Sequence, residues 1–110
     1  MIGRLWRGWT SRENADAYEA LLRAHVLPGI HRVAGYRGAC LMRRDVDEGV
    51  EFSTLTFFDD LDAVRAFAGE DYAAAVVPPE ARRLLTRFDQ TSVHYEVLET
   101  PGGSSADPSS

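Results

Sequence analysis

The sequence predicts an α+β domain of the ferredoxin-like type, a β-α-β-β-α-β plait. Three observations predict it. Hydrophobic periodicity along the chain changes in the order strand, helix, strand, strand, helix, strand. The two central strands flank a short polar turn, the signature of a hairpin. The chain has 110 residues and a mass of 12.2 kDa, room for one domain with one core. In such a plait the sheet is antiparallel and both helices lie on one face. Residues 1–99 are expected to form this domain. Residues 100–110, rich in Pro, Gly, Ser and Asp, read as a flexible tail that buries too little to order itself.

Residues 2–9 read as the first strand, with Ile2, Arg4 and Trp6 on one face and Leu5, Arg7 and Trp9 on the other. Thr10-Ser11-Arg12-Glu13 has the form of a capping box, with Thr10 as N-cap. A helix over 11–27 follows, with Tyr18, Leu21, Leu22 and His25 on one stripe and Pro28-Gly29 as its stop. Tyr36–Arg44 and Val50–Phe58 form the hairpin; Val50, Phe52, Thr54, Thr56 and Phe58 share a face. Asp59-Asp60 opens the second helix, where both acids suit the positive end of the helix dipole. Its apolar stripe is Leu61, Val64, Phe67 and Ala68, and Gly69 is its C-cap. Residues 72–77 read as a short helical turn, 80–85 as another, and 86–98 contain the last strand. In that strand Val93, Tyr95 and Val97 face one way and His94 and Glu96 the other.

Both faces of the sheet carry large apolar groups, yet the helices cover only one. An uncovered apolar face marks an interaction surface, and a second copy related by two-fold symmetry is the simplest cover. A homodimer is therefore expected. Composition narrows the partners further. The net charge is −5, which disfavours a nucleic-acid binder. All 12 basic residues are Arg, so lysine-based nucleophiles and phosphate loops are excluded. No apolar run reaches the ~18 residues of a membrane span, and no signal-peptide pattern opens the chain, so a cytoplasmic protein without a membrane partner is expected. The single cysteine, Cys40, excludes an internal disulfide and a cysteine-built metal centre.

Four segments together resemble a known group of proteins. They are Ile2-Gly3-Arg4-Leu5-Trp6-Arg7-Gly8, Gly35-Tyr36-Arg37-Gly38, Phe67-Ala68-Gly69-Glu70-Asp71 and His94-Tyr95-Glu96-Val97. In this order and spacing, over residues 1–98, the chain is similar to the antibiotic biosynthesis monooxygenase-like family of dimeric α+β barrel proteins. The resemblance implies a homodimer whose two sheets form a barrel, and a pocket in each protomer between sheet and helices. It implies a small tailoring enzyme acting on a hydrophobic, aromatic, polyketide-like metabolite. The leading expectation is monooxygenation with O₂ and no bound cofactor. The alternatives are a non-oxidative cyclase or isomerase, and a haem- or small-molecule-binding dimer without catalysis. Two positions depart from the family pattern. Phe58 stands at the end of the third strand where family oxygenases carry Trp, and the second helix lacks the His of haem-degrading relatives.

The residues suited to chemistry are few. His25 and His94 titrate near neutral pH and are the candidate bases. Each also has a structural reading: His25 as a core or helix-end imidazole, His94 as a cross-strand hydrogen-bonding group. Arg4 shares a face with Trp6; it either holds a carboxylate, phenolate or superoxide-like anion or makes an internal ion pair. Trp6 stacks on an aromatic ring or fills core. With Trp6, the residues Tyr18, Phe52, Tyr72 and Tyr95 make up the expected substrate-binding set. The three His have no zinc-type spacing, so no metal site is expected. Haem stays open, with His25 or His94 as its axial ligand.

Overall fold

A computed structural model describes residues 1–100. Positions 101–110 of the expected tail lie outside the described residues. The elements follow as β1 (Ile2–Thr10), α1 (Arg12–Leu21), a π-helical turn (Leu22–Val26), α2 (Leu27–Ile30), β2 (Tyr36–Val46), β3 (Gly49–Phe58), α3 (Leu61–Ala68), α4 (Pro79–Leu84), β4 (Leu85–Phe88) and β5 (Val93–Glu96). The sheet is antiparallel in the order β2-β3-β1, with β4 and β5 sharing the free edge of β1. β4 pairs with Gly8–Thr10 and β5 with Ile2–Leu5. The helices pack on one face, as expected of the plait. No helix among the described residues is long and apolar enough to cross a membrane.

Alternation with period two sets which side chains meet the helices. Val50, Phe52, Thr54, Thr56 and Phe58 of β3 all face them, with Ile2, Arg4 and Trp6 beside them on β1. One cluster gathers Ala15, Tyr18, Leu22, Val50, Phe52 and Ala81; the other gathers Ile30, Phe58, Ala63 and Val64. The hairpin turn depends on Gly49. Its φ is +149°, and a Cβ there would lie 2.1 Å from the Thr10 carbonyl oxygen, so only glycine lets the turn approach the end of β1.

Four local expectations are corrected. The N-cap of α1 is Ser11, whose hydroxyl accepts from the Asn14 amide at 3.2 Å; Thr10 instead completes β1. The helix does not stop at Pro28-Gly29. A proline inside a helix cannot donate to the preceding turn and crowds its carbonyls. The π turn just before it changes the hydrogen-bond register, with Leu27 N–H donating to the Leu22 carbonyl, and the chain stays helical to Ile30. Residues 72–77 form no helix. Tyr72 and Ala73 sit in a single turn closed by Ala74 N–H donating to the Asp71 carbonyl at 3.1 Å; Ala74 then bridges Thr91, and Ala75 N–H donates to the Gln90 carbonyl at 2.9 Å. That pairing divides the expected last strand: Asp89 N–H still donates to the Arg7 carbonyl of β1, but Gln90–Ser92 pair with Ala73–Ala75, so two short strands stand where one is expected.

Candidate functional site

A cavity of about 60 Å³ lies between the sheet and α1. Its floor is Arg4, Trp6, Thr54 and Thr56, and its roof is Tyr18, Leu22, Val26 and Ile30. The roof residues are spaced by four. A regular helix overshoots by about 40° for every four residues, so such a row would spiral away from the sheet within three turns. The wider π turn at Leu22–Val26 takes up that overshoot and keeps Val26 and Ile30 over the cavity. The same phase change turns His25 outward. It is exposed, in a shallow groove with Leu21, Leu84 and Arg83 on the far side of the helix. The expectation that His25 shares one stripe with Tyr18 and Leu22 is thus corrected.

The segment Val76–Pro78 closes the cavity beside Phe67. Gly8 sits where a Cβ would lie 3.0 Å from the indole of Trp6, so its missing side chain leaves room for that ring over the strand. The indole N–H donates to the Asp89 carbonyl at 2.7 Å, which fixes the ring plane.

Arg4 is the unusual group. It is 4 % exposed, and no carboxylate among the described residues pairs with it. Its Nη1 donates to the Tyr72 carbonyl and, at 3.0 Å, to His94 Nε2; its Nη2 donates to the Ala74 carbonyl at 3.1 Å. The guanidinium also lies over Phe67, 5.5 Å from the ring centre. Every acceptor it meets is neutral. Burial lowers its pKa to about 10, so it remains a cation at neutral pH. Arg4 thus adds two hydrogen bonds to a segment whose backbone is also tied to Gln90–Ser92.

His94 stands directly across from Arg4 in the β1–β5 pairing and is half-buried. A guanidinium only donates, so Nε2 must accept and the imidazole is neutral. Burial pushes its pKa down, and the Arg4 charge pushes it further. The ring meets Tyr72 edge-on at 5.1 Å between centres. The neutral form carries the stability: the folded protein gains it above the ordinary His range and loses it as the pH falls through the depressed pKa. NMR titration of the imidazole should give a midpoint below about 6.5. In Arg4→Gln the midpoint should rise partway back, because the charge is gone and the burial remains.

The structure brings together Arg4, Trp6, Tyr18 and, around Arg4, Tyr72 and His94. Phe52 lies behind Tyr18, edge-on at 4.9 Å, in the core and not on the cavity. Tyr95 projects from the opposite face of the sheet, across from Gly3, and is about half exposed; it does not reach the cavity. Sequence reasoning does not find Phe67 or the Val76–Pro78 segment as cavity lining: Phe67 reads as part of an apolar helix stripe, and the segment carries no periodic signal.

Among curated proteins, nothing matches this sequence. The family model described as antibiotic biosynthesis monooxygenase matches residues 1–79. The chain belongs to that family. Solved antibiotic biosynthesis monooxygenase-family folds superpose over most of its length. SnoaB, a cofactor-independent oxygenase from Streptomyces nogalater, is 19 % identical with a TM-score of 0.62, covering 91 % of this chain and 95 % of its own. The haem degrader MhuD from Mycobacterium tuberculosis, with two haems in its active site, is 17 % identical with a TM-score of 0.64, covering 91 % and 98 %. A MhuD variant with two manganese protoporphyrins per active site is 19 % identical with a TM-score of 0.65, covering 94 % and 100 %.

These neighbours overturn the expectation of a site without a cofactor. In MhuD the same fold holds porphyrin in its active site, so cofactor-free chemistry does not come with the fold. A porphyrin does not fit the cavity of this chain as it stands. Its 60 Å³ is well below the ~300–1,000 Å³ of a drug- or cofactor-sized pocket. Of the two imidazoles considered for a haem iron, His25 faces a separate groove and His94 meets the cavity only through Arg4, which occupies its Nε2.

Proposed function

We propose that this protein is an oxidising enzyme for a small aromatic compound with an acidic hydroxyl, a phenol or an enol. The observation that carries this reading is Arg4, a buried cation with only neutral acceptors, set at an apolar cavity. A buried charge without a counter-charge is unfavourable on its own. A ligand oxygen that becomes an anion beside it supplies the missing partner. The cavity holds the equivalent of roughly four water molecules, the space of a single ring. Trp6 and Phe67 are the aromatic side chains lining the space that such a ring fills.

The chemistry follows from the Arg4–His94 contact. An incoming hydroxyl takes the place of His94 Nε2 as acceptor for Nη1. The freed Nε2 lone pair then receives the hydroxyl proton, and Arg4 holds the resulting phenolate or enolate. An electron-rich anion of this kind, shielded from water, is the form most easily oxidised. Membership of a monooxygenase family supports oxygen insertion as the outcome. Oxygen-electrode recordings with single-ring phenols test it. Uptake should depend on the protein and fall on the acid side as His94 becomes protonated. Phenols that bind without oxygen uptake would overturn the oxidative reading in favour of a non-oxidative isomerase or cyclase.

The active form is a homodimer through the open sheet face. That face presents Leu5, Leu55 and Phe57, with Met42, Val93 and Tyr95 each about half exposed. Light scattering at micromolar concentration should give about twice 12.2 kDa. Leu55→Asp, a charge at the centre of that face, should give a folded monomer. A wild-type monomer would contradict the proposal.

A further inference from the structure

We infer that Tyr18 reads a second, neutral oxygen on the ligand, so that the substrate is a ring with oxygen functions at both ends: an acidic one at Arg4 and a hydroxyl or carbonyl at Tyr18. This inference rests on the Arg4 reading above and adds a substrate class to it.

Tyr18 is 1 % exposed, lines the cavity, and its hydroxyl has no hydrogen-bond partner among the described residues. Buried hydroxyls are nearly always satisfied by a protein group, a water or a ligand. This one is also not among the polar atoms sealed in protein without a partner, Thr10 Oγ1 and Ser92 Oγ. The strand register places it relative to Arg4. Arg4 pairs with Thr56, Trp6 with Thr54 and Gly8 with Phe52, and the Tyr18 ring sits against Phe52. Arg4 and Tyr18 therefore stand two pleats apart along the same strands, with Trp6 and Thr54 between them on the cavity floor. A ring lying along Trp6 points one end at the guanidinium and the other at the phenol. Burial raises the Tyr18 pKa, so the hydroxyl stays protonated at neutral pH. It can donate to a carbonyl, or donate to and accept from a hydroxyl.

The test uses two probes of matched shape and acidity, 4-(hydroxymethyl)phenol and 4-ethylphenol, titrated calorimetrically into the wild-type protein and Tyr18→Phe. Wild type should favour the hydroxymethyl compound by roughly tenfold or more, since a site with a buried hydroxyl discriminates against an analogue that leaves it unpaired. Tyr18→Phe should reverse the preference and leave 4-ethylphenol binding unchanged or tighter. The wild-type comparison stands by itself if that variant fails to fold. If both probes bind equally to wild type, or the variant keeps the preference, the Tyr18 inference is overturned and the Arg4 reading survives. If neither probe binds wild type, the Arg4 reading falls and takes this inference with it.

Discussion

Replacing Arg4 by glutamine should leave a folded protein that has lost its hold on acidic phenols. The loss of affinity should be on the order of 100-fold, the worth of a buried hydrogen bond to a charged group. Stability should move little or rise. Among the described residues Arg4 has no carboxylate whose charge would be stranded, and burial lowers its pKa, so the site disfavours the cation. Glutamine can still donate to one of the Tyr72 and Ala74 carbonyls that Arg4 now satisfies. An arginine serving as half of an internal ion pair behaves in the opposite way: its removal strands a buried charge and costs several kcal/mol. Quenching of Trp6 fluorescence by bound phenol and thermal unfolding of the same variant separate the two cases.

Phe58→Ala should have the largest effect on the fold. Phe58 is 0 % exposed, meets Tyr36 edge-on at 6.0 Å and stacks on Phe67 at 5.8 Å. Truncating a fully buried aromatic costs about 3–5 kcal/mol. In a domain of this size that lowers the thermal midpoint by on the order of 15–30 °C. The effect should reach the site as well, because Phe67 carries the cation–π contact with Arg4. Ligand affinity should therefore fall in Phe58→Ala even at temperatures where it is folded. Calorimetric unfolding and phenol titration below the midpoint check both.

Much of this architecture is legible in the sequence because it is set by local periodicity. Alternation alone puts Val50, Phe52, Thr54, Thr56 and Phe58 on one face, and Arg4 with Trp6. Asp60 at the start of α3 and Gly69 at its end are capping residues by chemistry, and the structure uses both that way. What stays hidden is set by tertiary competition. The π turn is a response to Pro28 and to the sheet below. Without it, Val26 would not displace His25 from the stripe facing the cavity. The interruption of the last strand arises because Gln90–Ser92 find partners in Ala73–Ala75, more than a dozen residues earlier. Arg4 shows the limit most clearly. A sequence with 17 acids offers an arginine many possible partners. Only the folded arrangement leaves this one buried beside an imidazole and two carbonyls, with no carboxylate partner among the described residues.

The most direct measurement of that arrangement is the pH at which bound 4-nitrophenol ionises, followed by the visible absorption of its phenolate. An apolar cavity alone favours the neutral phenol and raises the ionisation midpoint; a buried guanidinium favours the phenolate and lowers it. With Arg4 as the anion-holding group, the bound probe should ionise at a lower pH than the free probe. In Arg4→Gln, any probe still bound should ionise at a higher pH than the free one. A bound probe that ionises in the wild-type protein at or above the pH of the free probe would contradict the account.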